Sequence, residues 1–576
     1  MIFSLYKSLR SLNVFGITTL ATIFSIFPRI SWWGTYERWF GLFTLLHVFV
    51  FYFLLRITLR RQQIFKMLLD GVAVVTFFIS VYAILQHFGI DLPGFKEGLR
   101  VATPGWPRRS FATLGHPNFL GAYLALVLPL VVYSLLVSKN IYKRIFNAVT
   151  LIVGLIATVF TLSRSVWLAV TISLVVLAII LIKDKFHFTK NRILFFVVTL
   201  FVLVAGYFFI NHSANNNSVL TKRLVSAFNI QNDSGGVRLW IWGVALNHVV
   251  TKPLFGYGPD TFYLLAEKTP SPFNFEPQPF DRAHNIFLDT ALSVGVVATF
   301  LLLALMVYII YYLWNARRAA TETELNIYYS ALLASLIAYI IIGLFNFDTI
   351  TSLVYFYLVI ALTLSVNKSE ELPISTESNY KNYNWRYFLV VLCSILTAVL
   401  LYKNISSWQA DAYAGSGSRA IAVGQVKLAE HEFGVAVTYN PVESVYRSLW
   451  AGSYIIDISD ETDIKLVLDK IKLSLGYFNI AKVQGLPKTN YYQALLQLYT
   501  YWIILDGNQL PVLLSIYQAA EPYLFNRSDF YRNWGIVLYE TGSVAEAKIK
   551  FNNYLKLLKG KPDEIVKPYL QNFNLP

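Results

Sequence analysis

A single cysteine, Cys393, in 576 residues excludes a disulfide framework and any metal site built from several thiolates. Charge is scarce too: 14% of residues are Asp, Glu, Lys or Arg, against about 25% in an ordinary soluble chain. A water-soluble enzyme, a disordered polymer, a collagen and a coiled coil are thereby excluded as descriptions of the whole chain. Apolar residues take the place of charge, at 56% of the chain with a mean hydropathy of +0.51, and this points to lipid. Acidic residues are fewer than basic ones, 33 against 48, which leaves a formal net charge of +15. Such an excess suits either a nucleic-acid binder or the cytoplasmic loops of a membrane protein, and the placement of the basic residues decides between them.

A bilayer core takes roughly 17–25 apolar residues per helix. Runs of this kind predict spans near 11–27, 38–55, 69–88, 117–137, 145–162, 166–182, 193–210, 285–313, 327–345, 349–366 and 386–403. The expected fold class is therefore all-α, a polytopic bundle of about eleven transmembrane helices. The first run leads into FSIFPRISWW instead of a small-residue cleavage site, so it is read as an anchor and not as a removable signal. Lys7 and Arg10, Arg56 to Lys66, Lys139 to Arg144, Lys183 to Arg192, Arg317 with Arg318, and Lys368 to Arg386 occupy every alternate loop. The positive-inside rule places these loops and the N-terminus in the cytoplasm, and the segment 211–284 and everything after about 404 on the opposite side. The positive charge is then a topology signal, and no nucleic-acid partner is expected.

The sequence divides into a membrane domain, 1–403, and a polar helical tail, 404–576. The tail carries tetratricopeptide spacing. Tyr413, Gly417 and Ala420 fall on a first helix, Gly424 at a turn, Ala429, Phe433 and Ala436 on a second, and Pro441 closes the unit. A second match runs through Tyr531, Gly535, Leu538, Gly542, Ala547 and Phe551. Small residues let paired helices approach and an aromatic ring fills the gap, which predicts a short solenoid able to bind a protein partner.

No span carries a mid-membrane carboxylate series of the kind found in ion pumps, since His47, Asp70, His87 and Asp289 are scattered. The ionisable residues gather instead on the predicted outer side, and many are arginines: Arg29, Arg38, Arg100, Arg108, Arg109, Arg164, Arg223, Arg238 and Arg282. Guanidinium forks there suit a phosphate or diphosphate at headgroup depth, although snorkelling to lipid phosphates would place arginines similarly. Four segments narrow the choice: GHPNFLGAYLAL (115–126), TLSRSVW (161–167), RLWIWGVALNHVVTKPLFGYGPDTF (238–262) and RAHNIFLDTALSVGVVATFLLL (282–303).

In order and at outer faces, these four segments resemble the O-antigen ligase and O-antigen polymerase superfamily, which also contains bacterial protein O-oligosaccharyltransferases. The resemblance rests on Pro117-Asn118, on Ser163-Arg164, on the Arg-Leu-Trp helix from Arg238 followed by Pro-Leu-Phe-Gly-Tyr-Gly, and on His284-Asn285 with Gly295 ten residues on. It also takes in SWWGTYERWFGLFT (31–44) and covers the chain from about 30 to 365. It implies the architecture of the multi-span GT-C glycosyltransferases, in the cytoplasmic membrane of a bacterium. The implied reaction transfers a glycan from a polyprenyl diphosphate carrier to a glycan, lipid or protein acceptor, with no cofactor and no metal. The sequence agrees on the last point, because the predicted first outer loop, 28–37, holds only one acid, Glu37.

On that resemblance, Arg164 and Arg238, with Arg38, are expected to clamp the diphosphate, and His284 to accept the acceptor's proton. Asn118 and Asn285 are expected at the substrate, with Trp240, Trp242, Tyr257 and Tyr263 available to stack on sugar faces. His116 and His248 read as structural. The competing readings are a polysaccharide flippase and a non-catalytic scaffold presenting its repeats. Inverted repeats and broken helices around a midplane site would favour the flippase, and the sequence shows neither.

Overall fold

The computed structural model describes residues 16–59, 62–90, 109–183, 234–267, 269, 280–365, 384–458, 461–558, 562–573 and 575. The predicted span 193–210 and the arginines Arg100, Arg108 and Arg223 lie outside the described residues. The chain forms two compact units, one of Met1–Phe262 with Asp281–Glu370 and one of Tyr263–Phe280 with Glu371–Pro576.

The first unit is built from α1 (Pro28–Trp33), α2 (Leu42–Thr58), α3 (Gln62–His87), α4 (Pro117–Val137), α5 (Ile141–Phe160), α6 (Arg164–Lys183), α7 (Ser234–Thr251), α9 (Ile286–Ser293), α10 (Val296–Ala319), α11 (Thr323–Gly343) and α12 (Ile350–Ser365). A short helix, α8 (Phe262–Ala266), begins at its edge. Among the described residues six helices are long and apolar enough to cross a membrane: α3, α4, α5, α6, α10 and α11. Two shorter apolar helices, α2 and α12, accompany them. This is a multi-pass membrane protein. α4 is the central rod, with nearly all of its length from Leu120 to Leu135 buried, and α11 packs along it and along α6. Burial, and not apolarity, places these helices inside the bundle, since a lipid-facing helix is apolar on every side as well.

Local sequence fixes where these rods begin. Asn140 caps α5 by accepting from the backbone N–H of Tyr142 and Lys143. α4 starts on Pro117, whose missing N–H costs nothing in the first turn, with His116 as its cap.

The run 285–313 is not the single helix that its hydropathy predicts. It breaks at Val294-Gly295 into α9 and α10. Gly295 takes φ +102, and a Cβ there would lie 2.0 Å from the Leu254 carbonyl oxygen, so only glycine fits. The loop 253–258 satisfies the backbone groups that the break exposes. Tyr257 and Gly258 donate their N–H to the carbonyls of Leu292 and Ser293 at 2.8 and 2.9 Å, and Val296 donates to that of Pro253 at 2.7 Å.

The second unit is a row of helices: α13 (Asn384–Ala422), α14 (Val426–Tyr439), α15 (Ser444–Ile458), α16 (Ile464–Val483), α17 (Lys488–Leu505), α18 (Leu510–Leu524), α19 (Ser528–Glu540), α20 (Val544–Leu557) and α21 (Lys567–Asn572). Successive helices pack on one another, α13 on α14, α14 on α15, α15 on α16 and α19 on α20. Position 403/404, the expected domain boundary, falls inside the unbroken α13. Gly417 and Gly535 show why two of these pairs are tight. A Cβ on either would meet the ring of Phe433 or Phe551 at 2.7 or 2.8 Å, so each phenylalanine packs directly on glycine backbone. Tyr263 and Glu267 belong to this unit: the Tyr263 hydroxyl donates to the Gly485 carbonyl at 3.0 Å, and Glu267 accepts from the Lys488 N–H at 3.3 Å.

Candidate active site

The motifs singled out in the membrane unit gather at one end of its bundle, built on helix starts and the turns before them. Asp260 is the fastening point. Its Oδ2 accepts from the Thr35 N–H at 2.6 Å and the Thr35 hydroxyl at 3.0 Å, and its Oδ1 accepts from Arg282 at 2.6 Å. Both members of the Asp260–Arg282 ion pair are almost fully buried. The same loop is tied to the first turn again, since Ser31 donates to the Pro259 carbonyl and Ser25 to that of Tyr257. The turn so held presents Arg38, which pairs with Asp281 at 2.5 Å and lies 4.8 Å over the ring of Phe347.

His284 follows two residues after Arg282. It takes φ +53, a left-handed conformation that costs a non-glycine residue about 1–2 kcal/mol. Its neighbours hold it there. The Ala283 N–H donates to Asp289 at 2.8 Å, the indole N–H of Trp242 donates to the Ala283 carbonyl at 2.9 Å, and Asn285 caps α9 through the N–H groups of Phe287 and Leu288. The His284 Nδ1 is buried and has no hydrogen-bond partner among the described residues. Burial first, and the neighbouring Arg238 guanidinium second, push its pKa down to about 4, with Asp281 opposing, so the imidazole is neutral at physiological pH. Burial and the charge of Arg164 likewise lower the pKa of Arg238. Arg164, Arg238 and His284 are thus electrostatic neighbours in series, with Arg164 at the first position of α6 and Arg238 in the first half of α7.

Beside His284 opens a cavity of about 120 Å³, lined by Arg38, Asp281 and His284 together with His116, Asn118, Asn346, Phe347 and Thr349. A continuous chain of hydrogen bonds runs past it. Arg109 donates to Asn118 at 3.4 Å, Asn118 to Asn346 at 3.0 Å, and Asn346 to Ser165 at 3.0 Å, while Ser165 meets Ser163 at 3.3 Å. Chains of this kind hold side chains in one arrangement, because each amide has its donor and acceptor sides committed.

Of the residues expected from sequence, the structure brings Arg38, Asn118 and His284 to the cavity, sets Arg238 near His284, and sets Arg164 near Arg238. The others serve the scaffold. Asn285 caps α9 and also donates to the Leu344 carbonyl at 3.2 Å, which occupies both ends of its amide. Trp242 anchors the segment carrying His284. Tyr257 is buried, with its hydroxyl on Thr251, and Tyr263 belongs to the second unit. His116, expected to be structural, both caps α4 and lines the cavity. Asp260, Asp281 and the Asn346–Thr349 turn went unread. His-Pro-Asn is a visible signal for His116, but nothing local marks the turn, which lies 228 residues from its partner Asn118.

Fold and site together define a polytopic helical membrane protein with a polar pocket at one end, near which Arg238 and Arg164 lie. Residues 149–303 match the O-antigen ligase family, a segment that contains Arg164, Arg238, His284 and Gly295. The chain is also 27% identical over 203 residues to the ComP-specific O-oligosaccharyltransferase of Acinetobacter baylyi, an alignment covering 34% of this chain and 35% of that protein. It therefore spans about a third of that relative's length. Over this central segment the chain is similar to the O-antigen ligase family.

Proposed function

We propose that the protein transfers a glycan from a polyprenyl diphosphate carrier to an acceptor hydroxyl at the outer face of a bacterial cytoplasmic membrane, without a metal ion. The observation that carries this reading is the neutral His284, held beside Arg238 and Arg164 at the mouth of a polar cavity. Arg164 and Arg238 bind the diphosphate and stabilise its charge as the sugar leaves. The Nε2 of His284 takes the acceptor's proton while the acceptor oxygen bonds to the anomeric carbon. The bond from that carbon to the diphosphate oxygen breaks, its electron pair leaves with the carrier diphosphate, and the anomeric centre inverts. A bound anion also offsets the arginine charges that depress His284 and so strengthens it as a base when donor is present. Asn285, Trp242 and Tyr257 support this arrangement as positioning residues.

The second unit, with the glycine-on-phenylalanine packing of a tetratricopeptide array, serves as a docking surface for a protein acceptor or assembly partner on the same side of the membrane. Whether the natural product is a polymer, a lipid-linked glycan or a glycoprotein depends on the acceptor. Conversion of purified carrier-linked glycan tests the reading. His284→Ala should abolish transfer while leaving binding of the carrier intact, and undiminished turnover in that variant would remove the general base.

A further inference from the structure

We propose that the cavity between His116 and His284 is the acceptor subsite, in which His116 is a fixed hydrogen-bond donor to a neutral, hydroxyl-bearing group, while the carrier diphosphate is held outside it by Arg164 and Arg238. The inference rests on the glycan-transfer reading above and divides the pocket that reading treats as one.

The division follows from charge. Inside the cavity, Arg38 is paired with Asp281 at 2.5 Å, so its charge is already met by a carboxylate. Asn118, Asn346 and Thr349 add only neutral polar groups. A diphosphate carries at least two negative charges, and this lining offers no uncompensated cation to balance them. Arg238 and Arg164 oppose one another beyond His284, and neither lines the cavity. An anion between them relieves their repulsion. His284 stands where the two regions meet, which is the place for a base that must reach the acceptor hydroxyl while the leaving group departs on the other side.

His116 gives the cavity its direction. Its Nδ1 accepts the backbone N–H of Asn118 at 3.1 Å as the cap of α4. An imidazole nitrogen that accepts carries no proton, so in the neutral ring the proton sits on Nε2, and that nitrogen can only donate. Two neutral imidazoles thus line the cavity. One is held as a donor, suited to the lone pair of a hydroxyl or ring oxygen. The other, on His284, has a buried Nδ1 with no partner, so no hydrogen bond fixes its tautomer, and in the form with the proton on Nδ1 its Nε2 is the nitrogen that takes a proton. A hydroxyl set between a donor and a base is oriented with its proton toward the base and a lone pair toward the donor, which leaves its remaining lone pair for the anomeric carbon. At about 30 Å³ per water, 120 Å³ holds the equivalent of several waters, enough for a hydroxyl-bearing carbon whose parent chain extends outward.

The test separates capping from binding. His116→Asn keeps a good helix cap, since an asparagine oxygen accepts the same N–H, but its side chain is too short to present a donor to the cavity. His116→Ala loses both. The assay uses a polyprenyl diphosphate-linked oligosaccharide as donor and, as acceptor, a serine- and threonine-containing peptide or a free oligosaccharide, whichever the wild type modifies, with inorganic pyrophosphate as the binding probe. For His116→Asn the expected result is an unchanged melting temperature, unchanged donor KM and pyrophosphate affinity, and an acceptor KM raised about tenfold. A rise in donor KM or a loss of pyrophosphate affinity with acceptor KM unmoved would put the anion in the cavity and overturn the division. Wild-type kinetics in His116→Asn, with losses in His116→Ala that follow its melting temperature, would reduce His116 to a cap. A wild type that transfers nothing from any diphosphate-linked glycan would instead refute the functional reading, before any variant is compared.

Discussion

Replacing Asp260 by asparagine separates what holds the site together from what performs its chemistry. Asparagine tolerates the left-handed backbone that Asp260 adopts at φ +63, so the substitution changes charge with little added strain. One amide oxygen can still accept from Thr35, but the other position now presents an N–H₂ group to Arg282. The Arg282 guanidinium is 5% exposed and loses its 2.6 Å partner, and breaking one side of such a buried pair costs about 3–5 kcal/mol. Asp281 and Asp289 also act on Arg282, which points to the lower end, about 3 kcal/mol. Denaturation of the purified protein in mixed micelles measures this cost. The double variant Asp260→Asn with Arg282→Met removes the orphaned charge and should recover most of the stability, because a buried ion pair replaced by apolar groups is often neutral. Activity should not recover with it, since His284 follows Arg282 by two residues and is positioned through the lost contact. A loss below about 1 kcal/mol in the single variant, the range of an exposed pair, would refute the assignment of Asp260 as the fastening point.

Three further outcomes follow from the same geometry. With His284 depressed to about 4, the acid limb of kcat/KM should fall near that value and well below the usual histidine range. The limb of kcat should lie at higher pH, because bound diphosphate offsets Arg238; coincident limbs near pH 6.5 would remove the depressed base. Arg238→Lys keeps the charge but loses the bidentate fork, and kcat should drop about 10²-fold; equal rates would show that a point charge suffices. Gly295→Ala forces a Cβ to within 2.0 Å of the Leu254 carbonyl oxygen and should cost about 3 kcal/mol or more, read as a fall in melting temperature and yield.

The periodic parts of the structure were legible in the sequence. The apolar runs of α4 to α6 and α11 predict their helices to within a few residues, because lipid demands a continuous signal that hydropathy reads directly, whereas α3 begins at Gln62, ahead of the expected 69. Gly417 with Phe433 and Gly535 with Phe551 were legible for a related reason, since a repeat places the same small and aromatic residues at the same separation. The break at Gly295 was not. Hydropathy passes through it unchanged, and what ends α9 is a loop some forty residues earlier whose backbone is shaped to meet it. The acids were missed for a different reason. Carboxylates were sought within spans, where they mark ion pathways, whereas Asp260 and Asp281 do their work in turns, by fixing two arginines. His116 shows the limit of local reasoning: the Pro and Asn beside it announce a helix start, but the cavity beyond it exists only once the Phe347 turn has arrived from far along the chain.

The bonds from Thr35 to Asp260 join residues 225 positions apart. At roughly 5–20 residues per second, a ribosome needs on the order of 10–45 s to make that interval. The newborn turn carrying Arg38 therefore waits for its Asp260 partner until α7 and the loop after it have been synthesised. Completion of the pocket is set by residues far along the chain, and a nascent protein halted before residue 260 lacks the carboxylate that fastens the Arg38 turn.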